Sequence, residues 1–226
     1  MKIGIVVFPG SNCDRDTYES LTQQLGAQAI YLWHKNHDLQ DCEAIILPGG
    51  FSYGDYLRCG AIAHLAPIMQ EVISFAKKGG PVLGICNGFQ ILTESQLLPG
   101  VLLPNAELKF ICDQIWVRIE NDQTPFTKQI KQGSTLKMPI AHRDGNYFIQ
   151  AEELKRIEGE GQVVFRYCNQ EGQSSEKDNP NGSLNQIAGV CNIKRNVVGL
   201  MPHPERACEK LLGSDEGKQL FESLLG

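Results

Sequence analysis

The chain has 226 residues, with 21 Lys and Arg against 26 Asp and Glu and a net charge of −5. At 42% hydrophobic and 21% charged residues it has ordinary globular composition, which excludes wholesale disorder. It holds no basic block, which argues against nucleic acid as the main partner, and no apolar run near the roughly 18 residues that a membrane helix needs.

Lys2 to Phe8 reads as a buried strand, short and β-branched, closed by Pro9-Gly10. No small-residue cleavage site follows it, so no secretory leader is expected. Ser11 and Asn12 can cap a helix from about Asp14 to Leu25, with Gly26 just past its end. Ala27 to Trp33 is a second strand, and Ala44 to Leu47 a third that runs into Pro48-Gly49-Gly50. A helix from about Ala61 to Lys78 precedes Gly79-Gly80 and the strand Pro81 to Ile85. This alternation predicts a parallel sheet wrapped by crossover helices.

The middle is less regular. Ile115 to Glu120, Thr135 to Ala141 and Tyr147 to Gln150 read as shorter, partly antiparallel strands. Strands return at Val163 to Cys168, Ile187 to Cys191 and Val197 to Met201, and the polar stretch Asn169 to Gln186 reads as a surface loop. A last helix is expected from about Asp215 to Leu225. Without repeats or linkers, residues 1–226 are expected to form one α/β domain.

Eight cysteines are scattered with no C-x-x-C pair, a pattern suited to a reducing cytoplasm where most thiols are small buried hydrophobes. Neither a zinc site nor a disulfide scaffold is expected. Cys86 stands apart. It lies in Gly84-Ile85-Cys86-Asn87-Gly88-Phe89-Gln90, where an apolar strand meets Gly-x-Cys-x-Gly and then a helical run. This is the nucleophile-elbow arrangement with Cys in place of Ser. The glycines permit a sharp turn, and the following helix dipole favours a thiolate.

A cysteine nucleophile needs a base and an orienting group. His34, His37 and His64 read as surface, helix or core histidines. His203 lies just past a strand in Met201-Pro202-His203-Pro204-Glu205-Arg206, held by prolines on both sides. Glu205 can accept the imidazole N–H, completing a Cys-His-Glu triad in that chain order. The Gly49-Gly50 turn after the third strand is expected to present backbone N–H groups, so that Gly50, Phe51 and Asn87 form an oxyanion hole. No Gly-Lys-Ser/Thr follows, which argues against nucleotide binding there.

Together these segments resemble the class I, triad-type glutamine amidotransferases. More narrowly, Gly49 to Arg58, Ala141-His142-x-x-Gly145 and Met201 to Arg206 resemble the glutaminase subunits of phosphoribosylformylglycinamidine synthases. The resemblance runs nearly end to end. It implies a three-layer, flavodoxin-like fold with a mostly parallel twisted sheet flanked by helices. It also implies hydrolysis of glutamine through a Cys86 thioester, with Gln90, His142 and Arg143 helping to hold the substrate. No cofactor belongs to this chain; ATP and Mg are expected at a large synthetase subunit, accompanied by a small third subunit. Arg58, Arg143 and the 169–186 loop are candidate partner faces, and the isolated chain is expected to be nearly idle until docking organises its oxyanion loop. In the resembled pattern an Arg usually follows the cysteine at 112, and here Asp113 does.

Two other readings stay open. Cys-elbow peptidases and glyoxalase-like hydrolases place a His directly after the nucleophile, where this chain has Asn87. A catalytically silent regulatory subunit would have no chemical reason to keep Cys86, His203 and Glu205 together.

Overall fold

The computed structural model describes residues 1–226. In chain order it contains β1 (Lys2–Val7), α1 (Asp14–Glu19), β2 (Gln28–Trp33), β3 (Ala44–Leu47), α2 (Pro67–Lys77), β4 (Val82–Ile85) and α3 (Asn87–Glu94). Then follow β5 (Val101–Leu103), β6 (Ile111–Ile119), β7 (Thr135–His142), β8 (Asn146–Phe148), α4 (Ala151–Gly159), β9 (Val163–Cys168), β10 (Ile187–Cys191), β11 (Val197–Leu200) and α5 (Lys218–Leu225).

Nine strands form one sheet in the order β2-β1-β3-β4-β11-β10-β9-β6-β7. The five strands from β2 to β11 are parallel, and the remaining junctions are antiparallel. The burial patterns follow from position. Central β3, β4 and β11 are apolar and buried along their whole length, as strands covered on both faces must be. Edge strand β2 alternates instead, with Tyr31 and Trp33 partly in solvent. The α/β expectation of a sheet flanked by helices is met.

The boundaries differ where punctuation outweighs periodicity. The helix expected from Ala61 begins at Pro67, which occupies the first turn where its missing N–H costs nothing; residues 63–65 form only a single tight turn. The first helix continues past Glu19 as a wider π turn, Ser20–Gln24. Strand β6 starts at Ile111, four residues earlier than expected, because its first half pairs with β7 alone and needs no apolar pattern. The strand expected over 147–150 closes at Phe148 to leave room for α4, a helix not expected from the sequence. The last helix starts at Lys218 rather than Asp215. Residues 169–186 are a loop with two isolated single turns.

Register decides where the site lies. Leu47 pairs with Gly84 and Ile85 with Leu200, so β3, β4 and β11 end together at one edge of the sheet. Their continuations, Gly49-Gly50, Cys86 and His203, therefore emerge side by side at the carboxyl ends of parallel strands, where open α/β sheets bind ligands. The antiparallel half curls back toward this edge: the His203 N–H donates to Pro139 O in β7 at 2.9 Å.

Candidate active site

Cys86 sits between β4 and α3 with φ 49° and ψ −103°, a conformation that costs a non-glycine residue about 1–3 kcal/mol. The surrounding packing holds it there. A Cβ on Gly84 would lie 2.6 Å from Gly88 O, and one on Gly88 would lie 1.9 Å from Leu47 O. Only glycine lets α3 approach β3 and β4 this closely, so the sequence motif has a steric cause. The Cys86 sulfur is 3.8 Å from Ala141 O.

His203 and Glu205 are buried, and His203 Nδ1 lies 2.6 Å from Glu205 Oε1. Burial works against a charged imidazole, but the Glu205 carboxylate and the nearby Cys86 outweigh it, and the His203 pKa is raised well above the ordinary value. His203 Nε2 is buried without a hydrogen-bond partner. Cys86 and His203 line the same small cavity, of about 90 Å³. The two residues, far apart in the sequence, thus line one cavity.

A second sulfur shares this cavity and was not singled out from the sequence. Cys13 follows β1 and stands beside His203, with its sulfur 3.1 Å from Arg206 Nη2. Burial pushes its thiol above the ordinary value. Cys13, His203 and Glu205 offer ligand atoms within 4.8 Å of one another. The imidazole and carboxylate are already hydrogen-bonded to each other, however, and the Arg206 cation lies on the sulfur, so the cluster is not built for a dication.

The expected oxyanion donors are only partly in position. Asn87 opens α3, where the first amides have no intrahelical carbonyl to bond. The Phe51 N–H, by contrast, donates to Gly10 O at 2.9 Å, and Gly50 bridges to Ser11. The expectation that the Phe51 amide faces Cys86 is therefore not met in this conformation, because the loop after β3 is paired with the loop after β1. Farther along that loop, Tyr53, Asp55 and Leu57 all have positive φ. Tyr53 Oη anchors it at 2.6 Å from His34 Nδ1, which makes His34 a buried structural histidine. Tyr56 and Leu57 project into solvent, at 74% and 90% exposure.

The expected substrate-holding residues gather at a second recess of about 30 Å³ that also contains Cys86. Gln90 is buried and its side chain is already engaged: Nε2 donates to Asp144 O at 2.6 Å, and Oε1 accepts from Asn87 Nδ2 at 2.9 Å. Asn87 Oδ1 accepts from Ser52 N at 3.2 Å, so these two side chains staple loops 52 and 144 to the elbow. His142 is buried with Nδ1 3.1 Å from Asn105 Oδ1, whereas the Arg143 side chain reaches solvent. Both recesses fall well below the roughly 300 Å³ at which ligand pockets ordinarily begin. The site as it stands is closed around its nucleophile.

Known proteins resemble this chain in sequence and fold. A model of the CobB/CobQ-like glutamine amidotransferase domain matches residues 1–221. The phosphoribosylformylglycinamidine synthase subunit PurQ of Chlorobaculum parvum is 56% identical over 224 residues, spanning 99% of this chain and 89% of that one. The PurQ subunit of Koribacter versatilis is 52% identical over 226 residues, spanning 100% and 98%. A chain in a structure of PurLQS from Thermotoga maritima superposes with a TM-score of 0.88 at 45% identity, covering 99% of this chain and 97% of its own. A second Thermotoga maritima glutamine amidotransferase, 19% identical with a TM-score of 0.64, shares the fold.

Proposed function

The chain belongs to the CobB/CobQ-like glutamine amidotransferase family, and from that premise we propose that it is the glutaminase subunit of a phosphoribosylformylglycinamidine synthase. Residues 1–226 act as one domain, since nine of the strands join a single sheet. The observation that carries the reading is the buried, unpartnered His203 Nε2, which faces a cavity shared with Cys86 while Nδ1 is fixed by Glu205.

In this mechanism the Cys86 sulfur attacks the side-chain carboxamide of glutamine while His203, kept charged by Glu205 and Cys86, already holds the proton. The oxyanion rests on the amides of Gly50 and Asn87, and on that of Phe51 once it leaves Gly10. His203, held in one tautomer by Glu205, protonates the departing ammonia and leaves a γ-glutamyl thioester. A water that gives its proton to His203 then attacks the thioester, releases glutamate and frees the Cys86 sulfur beside the recharged imidazole. Gln90, His142 and Arg143 shape the recess that receives the amino acid. Ammonia passes to a large synthetase subunit, which uses ATP and Mg to convert formylglycinamide ribonucleotide to the amidine; a small third subunit completes the assembly in the cytoplasm. No helix of this chain is long and apolar enough to cross a membrane.

Labelling with diazo-oxo-norleucine, followed by peptide mapping, tests the chemistry. Modification of Cys86 with loss of glutaminase activity is expected, and an unmodified Cys86 would leave the silent-subunit reading in its place. Glutamine-dependent amidine formation with the large subunit tests the acceptor; a product from another acceptor would replace this assignment.

A further inference from the structure

Resting on the glutaminase reading, we propose that Asp55, Asp144 and His142 form the subsite that grips the α-ammonium group of glutamine, and so select an amino acid over a simple amide.

All three line the recess that contains Cys86. Asp55 Oδ1 and Asp144 Oδ1 are buried with no hydrogen-bond partner. No cation neutralises them. Arg58, nearest in sequence to Asp55, commits its guanidinium to both carboxylate oxygens of Glu94 at 2.6 Å. Between the two carboxylates lies Cys59, whose thiol is pushed up by burial and by both acids and donates to Asp144 Oδ2 at 3.4 Å. Burial and the neighbouring Asp144 also raise the Asp55 pKa, the mark of like charges held together without a counterion.

His142 supplies an independent observation. It is 3% exposed, and its tautomer is decided by a neighbour. Asn105 Oδ1 accepts the Gly145 N–H at 3.0 Å, and a backbone amide can only donate. The His142 Nδ1 that approaches the same oxygen at 3.1 Å must therefore carry the ring proton. Nε2 is left as a lone-pair acceptor, buried and unpartnered. Burial lowers the pKa of this ring to about 4, so it is neutral at physiological pH.

The recess is thus lined by three side chains that each keep a buried acceptor atom no donor of the chain satisfies. Leaving such groups unpaired is costly, and a group with three N–H bonds and a positive charge meets the need. The α-ammonium of glutamine is that group. A carboxylate is repelled from the same place, which directs the substrate's acid toward the exposed Arg143 and its amide toward the sulfur.

The test compares glutamine with glutaramate, which is glutamine without its amino group, using the chain assembled with its large synthetase subunit. The wild type should favour glutamine in kcat/KM by about tenfold to a hundredfold, the usual reach of a charged hydrogen bond. Asp55→Asn and Asp144→Asn should each shrink that ratio about tenfold. The ratio is internal to each preparation, so partial misfolding cancels, and the wild-type ratio decides the matter if neither variant folds. A wild-type ratio near one, or a ratio unchanged in both variants, overturns the subsite. Failure to hydrolyse either substrate, with Cys86 unlabelled, would instead strike at the glutaminase reading itself.

Discussion

The Phe51 amide donates to the Gly10 carbonyl at 2.9 Å, so one expected oxyanion donor is held away from the nucleophile by the loop that follows the first strand. The bond is backbone to backbone, and only a movement of one of the two loops can release it. Several residues of that loop already carry left-handed backbone strain. The isolated chain should therefore hydrolyse glutamine slowly, and adding the large subunit should raise kcat by about 10²-fold, the worth of one oxyanion donor. Steady-state ammonia release with and without the partner measures this; equal rates would show that the amide is not needed.

Glu205→Gln should lower kcat by about 10²–10⁴, because the amide neither fixes the ring tautomer nor supports its charge. It should also alter the pH dependence of stability. His203 binds its proton more tightly in the folded state than in the unfolded one. The resulting stabilisation is complete below about pH 6.5 and fades as pH rises through the higher folded value. Urea midpoints of wild type and variant should accordingly converge as the pH climbs above that point. A constant gap would mean that the pair does not titrate as described.

His142 acts in the opposite sense. Its folded pKa near 4 lies below the ordinary value of about 6.5, so the unfolded chain takes up the proton first. Acidification from about pH 6.5 to 4 should cost on the order of 3 kcal/mol through this residue alone. His142→Gln should remove that slope, as judged by chemical unfolding at stepped pH. An acid slope unaltered by the substitution would assign the loss to other groups.

Gly88→Ala should be among the most damaging small changes in the chain. Its new methyl would meet a backbone oxygen, which cannot turn aside as a side chain can. A loss of about 3 kcal/mol is expected, with slower labelling of Cys86 at temperatures where the protein remains folded. Thermal unfolding and labelling rates together check it, and an unperturbed melting temperature would show that the elbow has room to spare.

The residues reveal themselves unequally in the linear chain. Strands β1, β3, β4 and β11 are legible because they are apolar, mostly buried and bounded at one end by glycine or proline. The elbow and the Pro-flanked His203 are legible because their backbone demands leave marks in residue type. Helix α4 escapes notice, since a surface helix of mostly charged residues offers few apolar positions to count. Cys13, Asp55 and Asp144 escape for another reason. Residue type and spacing give none of the three a role, although Asp55 and Asp144 lie inside segments that carry the resemblance. Only the folding of the loops after β1, β3 and β7 onto one sheet edge brings them to the nucleophile.

Cys86 and His203 issue directly from strands with no solvent contact, whereas Asp55 and Cys59 ride on an exposed loop. The sulfur and imidazole, and one part of the proposed recognition site, are thereby placed on parts of the molecule with different tolerance to change. Substitutions that alter which amide is accepted can accumulate on the loop at little expense to folding, and the sulfur and imidazole stay where they are. An architecture divided in this way can acquire new nitrogen donors while keeping one hydrolytic engine.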